Sequence, residues 1–222
     1  MQAINRNLAI TVAVVVILVG LASPASAGST VRALWDMNSL PALVDSAGGD
    51  NNGKTSNITM SGGLYSFNGK SSYATASDKA NLDPGDANVT LTARVSFTAV
   101  PKDSQTFDIV RKGDKYTSGG YYKMEIIRSS TGKAVATCRY KDGDGGGAAD
   151  VYGTVHLAGK GLVTISCSKN ASGISLSAGG ATSTTVKRLG SIQNSAPIFI
   201  GGKGDGTDWF PGLMDFVKIE IG

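Results

Sequence analysis

Residues 197–222 read PIFIGGKGDGTDWFPGLMDFVKIEIG. Pro197, Ile198, Phe199 and Ile200 make a short apolar strand. A glycine-rich turn follows over residues 201–206, then a corner at Trp209-Phe210-Pro211-Gly212. Residues 213–221 are rich in aromatic and β-branched side chains, which suits a half-buried closing strand. Gly212 sits where the chain leaves Pro211 and must turn back into a sheet; glycine permits the positive φ or the bulge that such a corner often needs. One acid, Asp215, interrupts the apolar run. Burying a carboxylate without a partner is costly, so Asp215 implies either a solvated strand end or a cation beside it.

Working outward, Val89, Leu91, Ala93, Val95 and Phe97 alternate with Thr90, Thr92, Arg94 and Ser96. That period of two predicts a strand with one buried face. Turn signals recur along the chain, among them Asn52-Gly53, Gly62-Gly63, Asn68-Gly69, Pro84-Gly85, Gly119-Gly120 and Gly179-Gly180. No stretch carries a helical period. Many short strands punctuated in this way predict an all-β protein, an antiparallel two-sheet sandwich whose facing sheets bury the odd positions of 89–97 with the apolar residues of the closing strand. The run Asp142-Gly143-Asp144-Gly145-Gly146-Gly147 reads as a surface loop.

Residues 1–27 read as an export signal. Arg6 supplies the positive start, residues 8–21 are almost wholly apolar, and Ala25-Ser26-Ala27 has the small-x-small pattern of a cleavage site. Residues 28–222 are then expected to form one secreted, extracellular domain of roughly 195 residues, a length at which a sandwich is a single unit. No other stretch approaches membrane-spanning length. With Arg6 set aside, 20 of the 21 Lys and Arg residues face 17 Asp and Glu. That balance is too mild, and too scattered, for a nucleic-acid partner.

The two cysteines, Cys138 and Cys167, either pair or stay as buried thiols. An exported chain favours the pair. So does alternation, which puts Cys138 on a face with Ala134 and Ala136, and Cys167 on a face with Val163 and Ile165.

Phe210-x-Gly212-x-x-Asp215-Phe216-Val217-x-Ile219 resembles the closing signature of laminin-G-like domains, jelly-roll sandwiches of the concanavalin-A-like lectin and glucanase superfamily. Leu34-Trp35-Asp36-Met37, Val44-Asp45-Ser46-Ala47-Gly48 and Tyr65-Ser66-Phe67-Asn68-Gly69-Lys70-Ser71-Ser72-Tyr73 fit the same pattern. Phe107-Asp108-Ile109-Val110-Arg111-Lys112-Gly113 and Ala196-Pro197-Ile198-Phe199-Ile200-Gly201-Gly202 continue it, in the family's order. The resemblance implies a concanavalin-A-like jelly roll with its first and last strands side by side, often tied by a calcium ion. Carried onto this chain, the oxygen ligands for one structural Ca2+ would be Asp215 with Asp36 or Asp45, and carbonyls near Asn52 and Gly53. The same residues also serve as ordinary turn formers. The chain departs from the family at Lys160-Gly161-Leu162-Val163, where a Trp-His pair is common.

Catalysis is not expected. The glucanases of this superfamily place two Glu close together on one strand, and retaining chemistry needs carboxyls about 5 Å apart. Here Glu125 and Glu220 are the only Glu and lie far apart in sequence. His156 is the sole histidine, without a nucleophile elbow or a zinc-type cluster. Non-catalytic binding is the remaining expectation, of extracellular or cell-surface carbohydrate, with a protein-interaction or adhesion module as the alternative. Sugar sites combine aromatic faces with planar polar groups. Arg111, Lys112, Asp114, Tyr116, Tyr121 and Tyr122 are expected at one rim of such a site, and Arg139, Tyr140, Lys141 and Asp142 on the next strand. Sandwich strands also expose Tyr and Lys without any ligand.

Overall fold

The computed structural model describes residues 28–143, 145, 147–203 and 206–222. The expected export signal, residues 1–27, lies outside them. In chain order the strands are β1 (Thr30–Trp35), β2 (Ala42–Leu43), β3 (Gly53–Ser56), β4 (Thr59–Ser61), β5 (Leu64–Asn68), β6 (Tyr73–Ala76), β7 (Val89–Phe97), β8 (Thr106–Lys112), β9 (Gly120–Arg128), β10 (Ala134–Asp142), β11 (Ala148–Tyr152), β12 (Val163–Asn170), β13 (Gly173–Ala178), β14 (Ala181–Thr185), β15 (Ile198–Ile200) and β16 (Pro211–Ile221). A single 3-10 turn, Ala80–Leu82, is the helical element among the described residues.

The strands form two antiparallel eight-stranded sheets. The first runs β14-β13-β12-β7-β16-β5-β4, with β1 also on β16. The second runs β11-β10-β9-β8-β15-β6-β3-β2. β16 organises the first sheet. One of its edges pairs with β7 throughout. Its other edge pairs with β5 up to Met214 and with β1 from Val217. The first and last strands therefore lie side by side. The handover between partners falls at Asp215, where the register with β7 shifts.

Gly212 keeps an ordinary φ, so the positive φ that its corner allows is not used. What excludes a side chain is proximity: a Cβ there would stand 2.3 Å from the Ser96 carbonyl oxygen. Gly201 does use the left-handed region, at φ +80, and packs against the Phe67 ring.

The alternation of β7 is realised as read, with Val89, Leu91, Ala93, Val95 and Phe97 buried. From the facing sheet, Tyr122, Met124 and Ile126 of β9 and Ala134, Ala136, Cys138 and Tyr140 of β10 close the same core. Phe210 sits edge-on to Phe67 and Phe97, with ring centroids 6.0 and 5.8 Å apart. Cys138 and Cys167 form a disulfide with Cα atoms 5.7 Å apart. It joins β10 of one sheet to β12 of the other, through the core.

Asp142 departs from the surface loop expected of its stretch. It ends β10 and is buried, its carboxylate accepting the Gly147 and Gly190 amides.

Candidate functional site

The outward face of the second sheet carries the site. Register sets its side chains in rows. Arg111, Lys123, Arg139 and Asp150 are successive partners across β8, β9, β10 and β11. The next row is Asp108, Glu125, Thr137 and Tyr152. Phe199 stands beside Arg111 on β15, and Tyr121 lies opposite Lys141.

Loops raise walls around this floor and enclose a cleft of about 810 Å³. One wall is Asp114, Lys115 and Tyr116; another holds Lys203, Asp208 and Trp209. The second wall is tied to β8, because the Asp108 amide donates to the Asp208 carbonyl at 2.9 Å. Gly202 lets Trp209 lie against the backbone, since a Cβ there would come within 2.3 Å of its ring. Trp209 and Tyr73 have centroids 5.9 Å apart, and Tyr73 and Phe199 6.0 Å, so a ridge of half-buried rings borders the charged rows. Tyr116 is 81% exposed at the rim, with the Lys115 ammonium over its ring.

Every strong cation of the floor has its own carboxylate. Arg111 meets Asp108 at 2.7 Å, and Lys123 meets Glu125 at 2.6 Å. Arg139 grips Asp150 with two bonds, at 2.5 and 2.8 Å, and the Tyr152 hydroxyl donates to the same carboxylate. Lys203 meets Asp208 at 2.8 Å. The bond to Asp150 holds the Arg139 proton more firmly than usual. Asp108 goes the other way. Its complete burial outweighs the guanidinium beside it, and Glu125 opposes ionisation too, so its carboxyl is pushed up to about 7.

Of the residues expected at a ligand site, Arg111, Tyr116, Tyr121 and Arg139 line this cleft. Tyr122 and Tyr140 do not, and the expectation for them is corrected: both are fully buried in the core. The Tyr122 hydroxyl donates to the Leu82 carbonyl, and the Tyr140 hydroxyl has no partner. Their neighbours point out, so a period of two sends them in. Lys112 is likewise turned away, its ammonium held by Asp78, Asp83 and Asn194.

Each of the four residues named as calcium ligands is engaged by protein groups. Asp45 spends its carboxylate on the amides of Leu34, Ala47 and Asn51 and on the Asn51 side chain. Asn52 Oδ1 accepts the Asp45 amide. Asp36 accepts the Ser46 hydroxyl, and Asp215 meets Arg94 at 2.9 Å. In the same turn Lys79 supplies the positive charge, to the carbonyl and carboxylate of Asp50. Two amide oxygens nearby, of Asn51 and Asn81, lack partners, but a calcium ion needs six to eight oxygens, carboxylates among them. Among the described residues no three of His, Cys, Asp and Glu gather.

Sequence reasoning missed Lys123, Glu125, Asp108, Asp150 and Lys203. A signal for the first two was present: Tyr121, Lys123 and Glu125 alternate with Tyr122, Met124 and Ile126.

The comparisons agree with this architecture. Residues 68–220 match the laminin-G-like family described as the concanavalin A-like lectin/glucanases superfamily. The chain belongs to that family. No curated protein matches the sequence at a significant level. Among solved structures it is similar to domain 4 of an extracellular GH43 arabinanase from Geobacillus stearothermophilus, solved with arabinotriose, at 13% identity and a TM-score of 0.61, covering 87% of this chain and 93% of that one. The binding domain of Paraclostridial Mosquitocidal Protein 1 is similar at 13% identity and a TM-score of 0.62, covering 86% of this chain and 48% of that one. Trypanosoma rangeli sialidase is similar at 15% identity and a TM-score of 0.57, covering 84% of this chain and 30% of that one. At such identities the likeness is one of fold.

Proposed function

We propose that the protein is a secreted, non-catalytic carbohydrate-binding module, and that the cleft on the second sheet is its ligand site. The observation that carries this is the cleft's composition: Trp209, Tyr121, Tyr116 and Tyr152 line it with planar polar groups on rigid strands, and the rings of Tyr73 and Phe199 continue from Trp209 beside it. Aromatic faces take the apolar face of a sugar ring, and guanidinium and carboxylate groups pair with its hydroxyls. The arabinanase domain solved with arabinotriose adds support by analogy of fold. Secretion is supported by the signal-like pattern of residues 1–27 and by the disulfide, a bond that persists in oxidising compartments. No helix among the described residues is long and apolar enough to cross a membrane.

A hydrolase is disfavoured by the state of the carboxylates. Asp108 is enclosed, and Glu125 is 2% exposed and tied to Lys123. Neither is free to reach a glycosidic bond.

Affinity electrophoresis against a panel of soluble polysaccharides tests the reading. Retardation lost in Arg139→Ala and kept in Thr92→Ala, on the opposite sheet, is expected. Equal retardation of both variants would place the ligand elsewhere. Retardation by none, from folded protein, would point to a protein ligand instead.

A further inference from the structure

Resting on the reading of the cleft as a glycan site, we infer that its ligand is an uncharged, hydroxyl-rich sugar chain and not an acidic one. The cleft is rich in charged groups, yet its four strongest cations each lie against a carboxyl group at 2.5 to 2.8 Å, so each is already engaged. Lys115, the fifth cation of the lining, is offset by its neighbour Asp114.

An acidic sugar would have to draw a guanidinium or ammonium away from its own carboxylate. At Lys123 that carboxylate, Glu125, is buried, and a buried charge left alone is strongly unfavourable. A hydroxyl has no such conflict. It donates to a carboxylate and accepts from an ammonium within one intact pair.

Thr106 Oγ1, which lines the cleft, has no hydrogen-bond partner, and a sugar hydroxyl can donate to it or accept from it. The neighbouring ring ridge suits the apolar face of a neutral sugar.

With no charge on the ligand to screen, binding is insensitive to salt. The test uses the secreted protein with two neutral polymers, arabinan and a mixed-linkage β-glucan, and two acidic ones, polygalacturonate and hyaluronate. Affinities are measured by isothermal titration at about 0.05 M and about 0.5 M NaCl. A neutral polymer should bind best, with its Kd changing less than about twofold between the two salts. Tightest binding to a uronate polymer, weakening about tenfold or more with salt and lost in Arg139→Ala, would overturn this inference and leave the cleft a glycan site. Binding to none of the four, from folded protein, would overturn both readings together.

Discussion

Arg111 and Lys123 stand directly opposite one another on neighbouring strands. Like charges so placed repel. Both are also buried. The arrangement holds because Glu125 on β9 neutralises Lys123 and the Asp108 carboxyl on β8, opposite Glu125, takes the Arg111 guanidinium. The floor of the cleft thus rests on a two-by-two block of alternating basic and acidic groups.

Removing one corner of that block should be costly. Glu125→Gln leaves the Lys123 ammonium buried, unneutralised and facing Arg111, and is expected to lower stability by about 3 kcal/mol. Adding Lys123→Met should recover most of the loss. Urea unfolding of both variants checks this; a single variant as stable as the parent would show that the pair is solvated.

Asp108 sets a pH dependence. Folding raises its carboxyl from 3.8 to about 7. The favourable contribution is therefore complete where both states are protonated, below about 3.8, and is lost as pH rises to about 7. The Tm advantage of the parent over Asp108→Asn should shrink across that window and be flat above it. An advantage that grows with pH would mean that Arg111 holds the carboxylate ionised.

The two buried tyrosines separate core from site. Tyr140→Phe removes a hydroxyl without a partner and should raise stability by about 1 kcal/mol. Tyr122→Phe strands the Leu82 carbonyl and should lower it by about 1 kcal/mol. Neither should change polysaccharide affinity. A lost affinity in either would bring that ring back to the ligand.

The disulfide spans 29 residues. Loop entropy assigns such a bridge about 3–4 kcal/mol, which corresponds to a Tm drop of roughly 10 °C on reduction for a domain of this size. Scanning calorimetry with and without reductant measures it.

At the Asp45 turn, backbone amides hold the Asp45 carboxylate and Lys79 holds that of Asp50. EDTA should leave the Tm unchanged, whereas Asp45→Ala should lower it by destabilising about 3 kcal/mol or more, because several buried amides lose their acceptor. A Tm that falls with EDTA and returns with calcium would restore the metal.

The fold was legible because two-residue alternation and glycine-marked turns are local signals. Residues 89–97 and the closing strand carried both, and the cysteine faces followed from the same rule. The site was legible only in part. Tyr121 and Tyr122 are adjacent and chemically equal, and only the register with Lys123 and Met124 tells the outward ring from the core ring. Lys203 and Asp208 reach the cleft from the loop before β16, and Asp150 of β11 holds Arg139 there, so their placement depends on pairings far apart in sequence. The residue type of Asp45 suits cations and turns alike; the amides that engage it are set by the fold.

The most direct test of a glycan cleft on the second sheet is an amide chemical-shift titration of residues 28–222 with the oligosaccharide of whichever polysaccharide retards the protein. Shifts centred on Tyr121, Lys123, Glu125, Arg139 and Tyr152 are expected. Shifts centred on Thr92, Ser96 and Ser168 of the opposite sheet, or on the Asp45 turn, would contradict it.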